Sequence, residues 1–233
     1  MTPHAMHNPI IVALDVESAA AARAMVARIG PHVNFYKVGL ELYSAAGMEV
    51  VDQLFADGKQ VFLDLKMYDI PETVARAVAV VARTGVRFLT VHAIGSVMRA
   101  AVAARAGSQL RVLGVTVLTS FGPEDLDDLG YDGTVASLVE RRARKAVELG
   151  VDGIVASPLE AAAVRRIVGP NTVIVTPGVR SAGVDAADQK RIATPLQAIR
   201  HGADYLVIGR QITRAADPAA EVDRILMELV TPT

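Results

Sequence analysis

Asp64, Lys66 and Asp69 fall close together in the run Asp64-Leu-Lys-Met-Tyr-Asp-Ile-Pro71, two carboxylates bracketing an ammonium. Nearby negative charge favours the protonated form of a lysine, so Lys66 is expected to serve as a proton donor and a fixed cation. While it keeps its proton it is a poor Schiff-base nucleophile. Asp15 and Lys37 add two more charges of opposite sign. A structural ion-pair cluster would use the same residue types. Burying several ions is costly and stabilises little compared with apolar packing, however, so the repetition favours catalysis. A second group pairs glycine with arginine in Val175-Thr-Pro-Gly-Val-Arg180 and Val207-Ile-Gly-Arg210. Glycine lets backbone amides approach an oxyanion and arginine adds a bidentate cation, which points to a phosphorylated small ligand.

Residues this far apart in sequence act together only if the fold gathers them. Short apolar runs alternate with Ala-rich stretches of helical spacing along the chain. The expected strands are Ile10–Asp15, Val33–Val38, Gln60–Lys66, Arg87–His92, Arg111–Leu118, Gly153–Ser157, Thr172–Thr176 and Tyr205–Ile208. Each helical stretch between them closes on a glycine: Gly30, Gly58, Gly85, Gly107, Gly150, Gly169 or Gly202. Glycine just past a helix end takes the left-handed conformation at little steric cost. A last helical stretch spans Pro218–Leu229. Strand and helix thus alternate eight times, the pattern of an α/β single-domain (β/α)8 TIM barrel over residues 1–233, with a doubly wound open sheet as the rival. Strand count and chain length favour the barrel. Residues 1–8 are expected to be flexible, and His4 and His7 there make no metal site.

In such a barrel the active site forms at the carboxyl ends of the strands. The polar residues there are Asp15, Lys37, Asp64, Lys66, His92, Thr119, Ser120, Ser157, Arg180 and Arg210. Residues two apart on a strand share a face, so Phe62, Asp64 and Lys66 are expected inside the barrel while Val61, Leu63 and Leu65 meet the helices. Asp69 is expected to join the same pocket from a loop that ends where Pro71 and Glu72 start a helix. Arg180 and Arg210 follow the last two strands, where barrels often bind phosphate. His92 reads as a hydrogen-bonded barrel histidine ahead of a catalytic one. Polar connections are expected at Phe121–Gly133 and Ser181–Arg191, and the run Glu140-Arg-Arg-Ala-Arg-Lys145 reads as a solvated helix face.

Lys+Arg 24 against Asp+Glu 25 gives a formal net charge of -1, which offers no general attraction to nucleic acid or anionic membranes. With 52% hydrophobic and 21% charged residues the chain can build a large core. It contains no cysteine, which excludes disulfides, thiolate chemistry and sulfur ligands, and fits a cytoplasmic protein. No signal-peptide pattern opens the chain and no apolar run reaches about 18 residues, so neither export nor membrane spanning is expected.

The run Asp64-Leu-Lys-Met-Tyr-Asp-Ile-Pro-Glu-Thr-Val74 closely resembles the D-x-K-x-x-D-I-P-x-T-V signature of orotidine 5'-phosphate decarboxylases. The likeness extends through Ile11-Val-Ala-Leu-Asp15, Phe35-Tyr-Lys-Val-Gly39, Val115-Thr-Val-Leu-Thr-Ser120, Thr176-Pro-Gly-Val-Arg180, Gln189 and Val207-Ile-Gly-Arg210. It implies conversion of orotidine 5'-monophosphate to uridine 5'-monophosphate, the last step of de novo pyrimidine synthesis, with no metal and no cofactor. Lys66 would donate the proton that replaces the carboxylate. Asp64, Lys37 and Lys66, with Asp69 from the partner chain, would form the charge array. Asp15 and Lys37 would bind the ribose hydroxyls, Thr119 the pyrimidine, and Arg180, Gln189, Gly209 and Arg210 the phosphate. Ile70 and Thr73 belong to the segment that such enzymes contribute across a homodimer interface. The segment Arg180–Gln189 is expected to be a mobile lid that closes on phosphate. Metal-dependent sugar-phosphate enzymes of the same superfamily, such as 3-keto-gulonate 6-phosphate decarboxylase or hexulose phosphate synthase, look similar around D-x-K-x-x-D. They place an acidic metal ligand where Lys37 stands. A non-catalytic nucleotide-binding barrel would keep the phosphate loops but has no use for Lys66 between two acids.

Overall fold

Parallel strands that are apolar on both faces need a helix layer outside and a filled interior inside, and a closed barrel supplies both. The computed structural model describes residues 8–181 and 193–230. Its strands are β1 (Ile10–Ala13), β2 (Phe35–Gly39), β3 (Gln60–Met67), β4 (Phe88–His92), β5 (Arg111–Val115), β6 (Gly153–Val155), β7 (Val173–Thr176) and β8 (Tyr205–Ile208). They pair in parallel in sequence order, and β8 closes on β1 through Ile10–Leu206 and Val12–Ile208. The helices are α1 (Ala19–Ile29), α2 (Leu40–Ala46), α3 (Glu49–Ala56), α4 (Pro71–Val81), α5 (Gly95–Ala104), α6 (Pro123–Asp128), α7 (Val135–Glu148), α8 (Ala161–Val168), α9 (Pro195–Arg200), α10 (Arg210–Thr213) and α11 (Pro218–Val230). No helix among the described residues is long and apolar enough to cross a membrane.

The barrel reading holds, and the open sheet is excluded by the β1–β8 pairing. All seven glycines read as helix stops have positive φ. Among the described residues, three of the eight helical connections are subdivided. Gly47, at φ 57°, separates α2 from α3. The connection Phe121–Gly133 contains α6, started by Pro123 and capped by Asp125, whose Oδ2 accepts the Gly122 N–H at 2.7 Å. The last connection splits into α10 and α11. Ser157 does not face the site: its Oγ accepts the Leu159 N–H in the turn before α8.

Alternation sorts the core into two layers. Val61, Leu63, Leu89, Val91, Ile174 and Leu206 pack outward against the helices. Ile11, Phe35, Phe62, Phe88, Leu113, Val155, Val175 and Tyr205 fill the interior. At the amino end, Phe35, Phe88 and Tyr205 meet edge-on or tilted, with centroids 5.2–5.7 Å apart, and the Arg87 guanidinium covers them while donating to the Tyr205 hydroxyl at 2.9 Å. The barrel floor is therefore closed by aromatic packing, and the polar residues are left to its other end. Gly153 gives this packing room: a Cβ there would lie 2.5 Å from Leu113 Cδ2 and 2.7 Å from the Val173 carbonyl oxygen.

Two aspartates repeat one device at the strand starts. Asp152, before β6, accepts the Val112 N–H and pairs with Arg105 at 2.8 Å. Asp204, before β8, accepts the Ile174 N–H at 2.7 Å and pairs with Arg165 at 2.6 Å. Each satisfies a backbone donor of the preceding strand and locks the helix before that strand onto the sheet.

Candidate active site

The interior positions that are apolar at the floor turn polar toward the carboxyl ends: Phe35 gives way to Lys37, and Phe62 to Asp64 and Lys66. There a cavity of about 680 Å³ opens, lined among others by Asp15, Lys37, Asp64, Lys66, Thr119, Arg180, Gly209 and Arg210.

Four of these residues form a line of alternating charge. Lys37 Nζ donates to Asp15 Oδ1 at 2.8 Å and lies 3.9 Å from Asp64 Oδ2. Lys66 Nζ donates to that same Oδ2 at 2.8 Å. Lys37 and Asp64 are each only 8% exposed. Burial alone would raise the Asp64 carboxyl's pKa, but the charges of Lys66 and Lys37, with hydrogen bonds from Lys66 and Thr90, hold it below its ordinary value. Asp64 is thus a fixed anion on which two ammonium groups converge. Lys66 is more open, with 31% of its side chain exposed, and its ammonium has further N–H groups to direct into the cavity.

Lys66 reaches this place through an irregularity that period-two counting does not contain. Leu63 pairs with Leu89 and Met67 with Val91, so Asp64, Leu65 and Lys66 stand opposite Thr90 alone. Lys66 has φ 46°, the one positive φ at a non-glycine among the described residues. Thr90 is fully buried and completes the bulge: its Oγ1 accepts the Lys66 N–H at 2.9 Å and donates to Asp64 Oδ1 at 2.8 Å. The expected faces still hold, because Leu65 and Met67 pack on the outer core. Gly39 has a similar supporting role, since a Cβ there would sit 2.7 Å from Lys37 Nζ and 3.2 Å from Asp15 Oδ1. Sequence reading passed over Thr90 and Gly39 as site residues. Thr90 carries a signal nonetheless, as a hydroxyl among Phe88, Leu89 and Val91 of β4.

Across the cavity, Arg180 and Arg210 bring in two guanidinium groups. Arg180 is nearly buried, donates to the Val179 carbonyl at 2.7 Å, and has its pKa lowered by burial and then by the charge of Arg210. Gly209 packs against β1, where a Cβ would lie 3.4 Å from that of Ala13. Glu17, Glu41 and Arg214 also reach the cavity wall, unanticipated by the strand-end reading.

Asp69 does not join this cavity within the chain. Its side chain is exposed and Oδ1 accepts the Ile70 N–H at 2.6 Å. Ile70 and Thr73 are exposed as well, outside the cavity lining. Gln189, and with it most of the expected lid Arg180–Gln189, lies outside the described residues, as do His4 and His7. His92 is not hydrogen-bonded through its ring among the described residues. Its ring meets Tyr68 at 5.6 Å, in a neighbouring apolar cavity, and burial, then Arg142 and Lys66, lower its pKa.

Fold and site together define a (β/α)8 barrel with an enzyme's charged cavity at its carboxyl mouth and an arginine pair suited to an anionic ligand. Residues 8–225 match the model of the Orotidine 5'-phosphate decarboxylase / HUMPS family, and the chain belongs to that family. It is 52% identical over 222 residues to an orotidine 5'-phosphate decarboxylase of Bradyrhizobium sp. (strain ORS 278), covering 95% of this chain and 91% of the relative. It is also 52% identical over 231 residues to one of Rhodopseudomonas palustris (strain BisA53), covering 99% and 98%. A crystal structure of orotidine 5'-phosphate decarboxylase from Lactobacillus acidophilus superposes with a TM-score of 0.84 at 35% identity, covering 97% of this chain and 100% of the other.

Proposed function

We propose that this protein decarboxylates orotidine 5'-monophosphate to uridine 5'-monophosphate and CO2, the last step of de novo pyrimidine synthesis, without metal or cofactor. The observation that carries the reading is the unbroken line Asp15–Lys37–Asp64–Lys66 at the barrel mouth. Breaking the bond between C6 and the carboxylate leaves an electron pair in the ring plane, out of conjugation with the ring carbonyls. The protein must stabilise that charge where it forms. An ammonium already fixed by Asp64 does so without reorganisation, and then gives a proton to C6. Asp15 and Lys37 would hold the ribose hydroxyls and Thr119 the pyrimidine. Arg180, Gln189, Gly209 and Arg210 would hold the phosphate, whose binding energy helps organise the charged end of the site.

Asp69, Ile70 and Thr73 fit the second half of the proposal, a homodimer in which they complete the partner's site. Supporting it, they are exposed and do not line this chain's own cavity. A cytoplasmic location fits a nucleotide-synthesis enzyme without cysteine. The metal-dependent sugar-phosphate reading is disfavoured by the Lys37 ammonium between Asp15 and Asp64, which repels a divalent cation from the place where one would bind. The discriminating experiment follows orotidine 5'-monophosphate by absorbance after exhaustive EDTA treatment of the protein. Full conversion to uridine 5'-monophosphate is expected. Activity only with Mg2+ and a sugar phosphate would overturn the reading.

A further inference from the structure

Arg180 and Arg210 stand on different loops, one after β7 and the other at the start of α10, yet both reach the same cavity. Like charges facing one cavity oppose each other, and the charge of Arg210 lowers the pKa of Arg180. The residue after each arginine links the two loops. Gln211 Oε1 accepts the Ser181 N–H at 3.1 Å, and Gln211 Nε2 donates to Ser181 Oγ at 2.8 Å. The staple is nearly buried on the Ser181 side, which is 3% exposed.

A third element backs it. Gln211 Nε2 also donates to Glu221 Oε1 at 2.9 Å, and Ser181 Oγ donates to Glu228 Oε2 at 2.9 Å, both acceptors on α11. Arg224 lies between these carboxylates, donating to Glu221 through Nε and Nη2, to Glu228 through Nη1, and to Ser181 Oγ at 3.2 Å. The last helix of the chain thereby holds both loops through one network, and no member of the staple lines the cavity.

We infer that Gln211, through its paired hydrogen bonds to Ser181, is a positioning residue that sets the spacing of Arg180 and Arg210 before the ligand's phosphate arrives. The inference rests on the reading that these arginines bind that phosphate. Preorganisation of this kind adds affinity by removing an ordering cost at the moment of binding. Its effect is confined to ligands that carry the anion.

The test compares Gln211→Leu, Ser181→Ala and wild type by titration with uridine 5'-monophosphate and with uridine, alongside kcat, KM and the melting temperature. Two hydrogen bonds at about 0.5–1.5 kcal/mol each correspond to roughly five- to 150-fold in affinity. Gln211→Leu is expected to weaken the monophosphate by a factor in that range, leave uridine within about twofold, and raise KM far more than it lowers kcat. Ser181→Ala, which keeps the backbone N–H bond to Gln211, is expected to show a smaller loss of the same kind, and it serves as the test if Gln211→Leu melts below the assay temperature. Unchanged monophosphate affinity, or equal losses for both ligands, would overturn the staple. Wild type that binds the two ligands equally would overturn the phosphate reading and the staple together.

Discussion

At the scale of the residue, the site depends on one carboxylate serving two ammonium groups, and Thr90 decides which way that carboxylate faces. Thr90→Val keeps the shape but removes the donor to Asp64 Oδ1 and leaves the Lys66 N–H of the bulge without its acceptor. A buried group left unsatisfied costs about 1–3 kcal/mol, so kcat is expected to fall roughly ten- to a hundredfold, with Thr90→Ser restoring most of it. Equal kcat for wild type and Thr90→Val would refute that role. His92 makes a separate prediction about pH. Its pKa is lowered in the fold, so below the ordinary 6.5 the unfolded chain binds a proton that the folded chain resists. Its contribution to stability is complete above about pH 6.5 and is lost as pH falls through the lowered value. His92→Phe, which keeps a ring against Tyr68, is therefore expected to lose less melting temperature than wild type between pH 7 and 5, and parallel curves would contradict this. Residue types were legible where chemistry demanded them: Asp15, Lys37, Asp64, Lys66, Thr119, Arg180, Gly209 and Arg210 all line one cavity. Thr90 and Gly39 were not, because their roles are to bond and to make room, and neither follows from charge.

At the scale of the element, glycine punctuation and period-two alternation located all eight strands, since both rest on local backbone geometry. They missed what depends on neighbours. Counting by twos placed Lys66 on the correct face, yet its position comes from three residues of β3 standing opposite one residue of β4. Ser157 looked like a strand-end site residue and instead caps a turn, because β6 stops at Val155. Close packing across strands is equally invisible in sequence, and Gly153 measures it. Adding one methyl there must displace Leu113 or the β7 backbone, so Gly153→Ala is expected to cost about 1–3 kcal/mol, read as a lower denaturant midpoint. An unchanged midpoint would show that the interior yields more easily than its contacts indicate.

At the scale of the whole molecule, the barrel separates two tasks. Its floor is closed by Phe35, Phe88, Tyr205 and Arg87, and its outer face is packed against the helix layer. Its mouth carries the line Asp15–Lys37–Asp64–Lys66, whose burial is costly compared with apolar packing and which fits the proposed chemistry. Strand and loop position drew Asp69 into this chain's pocket while the resemblance assigned it to a partner chain, and in the folded chain it is exposed, with Oδ1 accepting the Ile70 N–H. The central proposal is that Lys66 supplies both the fixed positive charge and the proton. Lys66→Ala tests it most directly, with turnover of orotidine 5'-monophosphate and affinity for uridine 5'-monophosphate measured on the same preparation. Loss of turnover by several orders of magnitude is expected, with product still bound through the ribose and phosphate contacts. A variant that turns over at a rate near wild type would contradict the assignment of Lys66, whatever else of the barrel stood.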